Sequence, residues 1–130
     1  MYLRRAAHRH DPMTPPRSRT GSPATTDSIG APVERFVRII RGRHKADIII
    51  QLGKATPGRR RFSELRRSIP GISERVLARQ LDELERDQIV ERTVFAEVPP
   101  RVEYGLTPRG RTLCPLIKQL WKWGVGQGDH

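Results

Sequence analysis

The 130-residue sequence predicts an α+β domain that is mainly helical. Three observations carry that expectation. From residue 31 onward, apolar residues recur at intervals of three and four, the spacing of a helix's buried stripe. Two runs rich in β-branched and aromatic residues, "IVERTVF" (89–95) and "RVEYGLT" (101–107), flank a Pro-Pro turn as hairpin strands do. And "SIPG" at 68–71 sets a proline and a glycine between two helical segments, which forces a tight turn.

Residues 1–30 read as a disordered tail. They hold five Arg against two Asp, many Pro, Ser and Thr, and almost no apolar residues, so burial could not offset the entropy of ordering them. His8 and His10 in this stretch are expected to be solvated rather than bound to a metal. The ordered domain is expected over 31–124, followed by a flexible tail over 125–130. "PVERFVRIIRG" spaces Val33, Phe36, Val37 and Ile40 as a helix, with Gly42 after its end. "HKADIIIQLG" gives a second helix stopped by Gly53, and "KATPGRRR" (54–61) reads as a turn. "FSELRRSI" (62–69) makes a short helix with Leu65 and Ile69 inward.

After Pro70-Gly71 the next helix has a well-marked start. Ser73 is a good N-cap, and Ile72 before it can staple onto Leu77. Val76, Leu77, Leu81 and Leu84 give one apolar face, and the helix should end near Gln88. The hairpin follows, its turn at "AEVPP", with Val102, Tyr104 and Leu106 alternating along the returning strand. Thr107 and Pro108 suit the N-cap and first residue of a last helix carrying Leu113, Leu116, Ile117, Leu120 and Trp121 and stopping at Gly124. Helix, helix, short helix, tight turn, helix, hairpin, helix is the order of a winged helix-turn-helix. The hairpin is then a two-stranded wing, and the first and last helices flank the motif.

Charge points to the partner. The chain has 21 Arg and 4 Lys against 14 Asp+Glu, a formal +11. Arginine in such excess favours phosphate, which its planar fork can grip in two directions. Nine of the basic residues and only two acids lie between Arg41 and Arg67, around the turn, where they could clamp phosphates on either side of a groove. Within "GISERVLARQLDELERDQIVER" (71–92) the charges are sorted: Arg75 and Arg79 at the front, Asp82, Glu83, Glu85 and Asp87 behind. Helix-dipole preference favours the opposite order. Insertion of the helix front into a major groove accounts for it, with the acids on a solvated face held away from DNA. Arg101, after Pro99-Pro100, would stand at the wing tip, suited to a narrow minor groove.

These residues also carry a resemblance. "RRFSELRRSIPGISERVLARQLDELERDQIVERTVFAEVPPRVEYGLTPRGRTL", with "PVER" before it, resembles the HxlR-type transcriptional regulators, winged-helix proteins related to the MarR group. The likeness covers about 31–124. It implies a homodimer on a palindromic operator, joined through helices at about 32–41 and 108–123. The DNA face is expected at Ser63, Arg66, Ser73, Glu74, Arg75, Ala78, Arg79, Arg92 and Arg101. Helix 73–88 would enter the major groove, and the wing at 96–101 the minor groove or the backbone. Many members begin the domain with Cys-Pro, and that cysteine senses oxidants or electrophiles; this chain has Ala31 there. Where "Gly-Gly-Lys-Trp" is common it has "RGRH", so His44 replaces a core or pocket-lining Trp and is expected as a satisfied core histidine, the alternative being an altered effector pocket. Its one cysteine, Cys114, lies in the last helix and is expected to be buried and inert.

Other classes fit less well. There is no glycine-rich phosphate loop, no metal-ligand spacing and no nucleophile with an evident base, so no enzyme, cofactor or metal is expected. No apolar run approaches the ~20 residues that span a bilayer, and no signal peptide is visible. The expectation is a cytoplasmic, nucleoid-associated regulator, more often a repressor. A winged helix used only for protein contact, or a non-specific nucleic-acid binder, is the rival.

Overall fold

The computed structural model of the chain describes residues 2–4, 28–55 and 58–127. In chain order the elements are β1 (Tyr2–Arg4), α1 (Gly30–Ile40), α2 (Lys45–Lys54), β2 (Arg59–Arg61), α3 (Phe62–Arg67), α4 (Glu74–Arg86), β3 (Val90–Phe95), β4 (Arg101–Leu106), α5 (Pro108–Arg111) and α6 (Leu113–Gln127). The winged helix-turn-helix is present: α3 and α4 form the helix pair, and β3–β4 is the wing. Ile48, Ile49, Leu52, Leu65, Leu77, Leu81, Leu84, Ile89 and Val90 are wholly enclosed, so the core lies where α2, α3, α4 and the base of the wing meet.

Local chemistry builds the motif. Gly71 adopts φ +87°, a left-handed conformation with nothing near its missing Cβ, so the glycine serves the turn's geometry rather than its packing. Ser73 then caps α4, its Oγ accepting from the Val76 N–H at 3.1 Å. Ile72 and Leu77 are both buried in the core, as a hydrophobic staple requires. The helix gives way at Asp87, and Gln88 turns the chain at φ +63° into β3. At the far end of the wing Thr107 caps α5 by accepting from the Gly110 N–H at 2.9 Å, with Pro108 in the first turn.

Several expectations are corrected. The two-stranded wing β3–β4 is present, but it sits in a four-stranded sheet of order β1-β3-β4-β2, because two further strands add to it antiparallel. Arg59–Arg61, expected in a turn, pair with β4, Arg60 opposite Tyr104. Tyr2–Arg4, expected in the tail, pair with β3, Leu3 opposite Val94. The rest of the expected tail, with His8 and His10, lies outside the described residues until Ser28, and helix α1 already includes Gly30. Gly53 does not stop α2, which runs to Lys54. A Cβ there would lie 2.9 Å from Cys114 Sγ, so the glycine admits the close passage of α6.

The last helix is in fact two, α5 and α6, parted at Thr112. Pro115 has no N–H to give the Arg111 carbonyl, which disfavours one continuous helix, and the second begins with Pro115 in its first turn. Helix α6 then passes through Gly124 to Gln127, beyond the expected end at 124; residues 128–130 lie outside the described part.

Candidate nucleic-acid interface

Helix α4 has one face in the core and one in the open. Leu77, Leu81 and Leu84 point inward, while Ser73, Glu74, Arg75, Ala78 and Arg79 are all exposed. Spacing explains the second group. Glu74 and Ala78 lie one turn apart on one ridge, Arg75 and Arg79 on the next, and together they form the helix's free front. Ser63 and Arg66, on α3, are exposed as well. Arg66 joins the two helices: its Nη1 lies 3.1 Å from Glu74 Oε2.

The remaining expected residues sit on the wing. Arg92, half-buried on β3 opposite Tyr104, shares with Ala78 and Arg79 a groove of ≈ 500 Å³ between α4 and the sheet. Arg101 begins β4 rather than projecting from the turn at 96–100. Its guanidinium lies 4.0 Å from the Phe95 ring centre, with Nη1 2.7 Å from Glu97 and Nε 3.2 Å from Glu103. Its charge is thus already shared with two carboxylates.

The acidic back of α4 is only in part a solvated face. Glu83 receives the Lys45 ammonium at 2.7 Å, and Lys45 on α2 is just 5 % exposed. The hydrogen bond from Lys45, reinforced by its charge, holds the Glu83 carboxyl below the usual carboxylate range. Glu85 is buried, and Asp82 lies 3.5 Å from Arg86 one turn on. So two of the acids, Glu83 and Glu85, are held against the domain, while Asp82 stays exposed. The Lys45–Glu83 brace has no signal in the sequence, since its members are far apart along the chain.

A second basic feature gathers part of the 41–67 cluster in one place. Arg59, Arg60, Arg61 and Arg67, with Ser63 and Ser68, line an open groove of ≈ 800 Å³ that also holds Glu64 and Glu103. The arginine triplet "RRR" at 59–61 is the available signal, but its strand pairing is not legible in the sequence.

Other groups fall elsewhere. His44 is half-buried, its Nδ1 3.9 Å from Asp47. Cys114 is half-buried rather than buried, its thiol directed at the Ile49 carbonyl at 4.0 Å. Among the described residues no group of three or more His, Cys, Asp or Glu is placed to hold a metal ion, and no helix is long and apolar enough to cross a membrane.

A capped helix with a free basic front, entered through a tight turn and followed by a wing, defines a DNA-binding helix-turn-helix of the winged type. Comparison with known proteins makes this definite. The profile of the HxlR-like helix-turn-helix family matches residues 39–130. The HTH-type transcriptional regulator YybR of Bacillus subtilis (strain 168) is 44 % identical over 100 residues, which cover 77 % of this chain and 78 % of that one. YdeP of the same organism, also an HTH-type transcriptional regulator, is 44 % identical over 107 residues, 82 % of this chain and 81 % of its own. Among solved structures, the redox regulator HypR in its reduced form superposes with a TM-score of 0.68 at 43 % identity, covering 76 % of this chain and 95 % of that one. The chain belongs to the HxlR-like helix-turn-helix family and is a transcriptional regulator.

Proposed function

We propose that the protein is a homodimeric, sequence-specific repressor that acts on a palindromic operator in the cytoplasm, at the nucleoid. The observation that carries this is the front of α4: Ser73, Glu74, Arg75, Ala78 and Arg79 are exposed together at the start of the helix. In a helix-turn-helix that end lies against base edges. Arg75 and Arg79 would supply base contacts. Arg92, Arg101 and the groove of Arg59, Arg61 and Arg67 would supply phosphate contacts, which set register and salt dependence.

Dimerisation accounts for the apolar surface left over. Val33 and Val37 on α1 and Leu116, Leu120, Trp121 and Trp123 on α6 are exposed, the two tryptophans at 66 % and 67 %. Large apolar side chains gathered on two helices mark an association surface. These helices are the ones the family likeness assigns to the dimer, and a second copy would cover them.

The signal differs from the one named for HypR. Position 31, at the start of α1, is alanine, and Cys114 is the chain's one thiol. Control here would come from a non-thiol ligand or from the protein's own concentration.

The test is footprinting on the DNA just upstream of the protein's own gene, with light scattering on the same sample. The expected result is a dimer protecting two symmetric half-sites about 34 Å apart. A monomer at micromolar concentration, or protection without symmetry, would contradict the proposal.

A further inference from the structure

We propose that Glu74 reads a cytosine in each half-site and that Arg66 is the residue that positions its carboxylate to do so; the inference rests on the operator-binding reading above. Glu74 is the first residue of α4, and its side chain is 72 % exposed. A bare carboxylate at the leading end of a groove-reading helix would be repelled by the phosphates on both sides. Arg66 removes that objection. Its Nη1 donates to Glu74 Oε2 at 3.1 Å, and its Nε leans on the Ile72 carbonyl at 3.5 Å, so the guanidinium comes from the helix-turn-helix itself.

The pair is too exposed to serve mainly as a brace, because ion pairs in water contribute little to stability. What it does is present a charge-compensated acceptor. Oε2 is engaged by Arg66, while most of the side chain stays open to a partner. In the major groove a carboxylate pairs best with the cytosine N4 amino group. Adenine also offers an amino group there, but with N7 beside it, an acceptor that repels the second oxygen. The next ridge carries Arg75 and Arg79, whose forks suit guanine O6 and N7. The front of α4 is therefore built for a half-site in which a cytosine position adjoins guanine positions.

Selection from a random duplex library, followed by sequencing, tests this with the full-length protein and its Glu74→Gln, Glu74→Ala and Arg66→Ala variants. The unmodified protein should enrich one cytosine per half-site that Arg75 and Arg79 variants leave in place. In Glu74→Gln that position should turn to adenine, the base an amide pairs with, by a preference change of about 5- to 150-fold. Glu74→Ala should lose the cytosine preference and gain none. Arg66→Ala should weaken preference at that position while the others hold. A half-site unchanged by both Glu74 variants would overturn the inference and leave the operator-binding reading standing. No enriched motif for the unmodified protein would overturn both.

Discussion

Replacing Gly110 by alanine should destabilise the domain by about 3 kcal/mol, against the ordinary trend of helix propensity. Gly110 lies in the short helix α5, where alanine would normally gain about 1 kcal/mol over glycine. Here a Cβ would fall deep inside the contact distance of the Ile89 carbonyl oxygen and 3.1 Å from both the Ile89 carbonyl carbon and Cγ2. That oxygen belongs to rigid backbone and also accepts the Thr107 N–H at 3.0 Å, while the Thr107 hydroxyl donates to the Gln88 carbonyl at 2.6 Å. The start of α5 must then move away from the start of β3. Overpacking of this kind costs roughly 1–3 kcal/mol, and each hydrogen bond that is stretched or lost costs about 1 kcal/mol more. For a domain of this size the expected loss lowers Tm by about 12–24 °C. Far-UV circular dichroism on heating measures it, with Gly124→Ala as the internal control. Nothing lies within 4 Å of a Cβ at 124, so that variant should melt at or slightly above the parent. A Gly110→Ala protein that melts no lower than the parent would refute the packing account of the wing-to-α6 junction.

Three further outcomes follow from the geometry. Because the Glu83 carboxyl is held low by Lys45, its share of stability is present above the usual carboxylate pKa, ~4.3, and is lost as pH falls through the lower folded value. Glu83→Gln should thus be less stable than the parent at pH 7, with the difference narrowing in acid; denaturant midpoints that differ equally at pH 7 and pH 3 would count against the brace. Arg101→Ala should weaken binding to operator and random DNA alike and flatten the salt dependence by at most about one phosphate, since Glu97 and Glu103 share its charge, and an unaltered slope would remove Arg101 from the interface. Leu120→Asp with Trp121→Asp should give a folded monomer by light scattering, so a persisting dimer would place the interface elsewhere.

What the sequence made legible was local chemistry. Ser73 as a cap, Pro70-Gly71 as the turn and Thr107-Pro108 as a helix start each depend on residues a few positions apart, and each stands in the structure as read; Arg75 and Arg79 are exposed at the helix front. What it hid was set at long range. Gly53 has the look of a helix stop, yet it is a glycine because Cys114 passes against it. Arg59–Arg61 has no strand periodicity, since three successive arginines look alike on both faces; only pairing with β4 makes it a strand. Tyr2–Arg4 likewise becomes a strand through the edge that β3 offers. The acids of α4 look solvated in the sequence because the partner of Glu83, Lys45, lies on another helix. Pro115 was readable: a proline there forbids the Arg111 hydrogen bond and parts the last helix in two.

The central claim is that the front of α4 reads sequence, and the most direct measurement is the ratio of operator to random-DNA affinity for the parent and for Arg75→Ala and Arg79→Ala. Anisotropy with a labelled operator and competing random duplex, repeated over a salt series, gives that ratio. The parent should hold its operator ~10³-fold or more over random DNA, and each variant should lose about 1–3 kcal/mol of that discrimination. A ratio unchanged with both arginines removed would show that some other surface reads the operator.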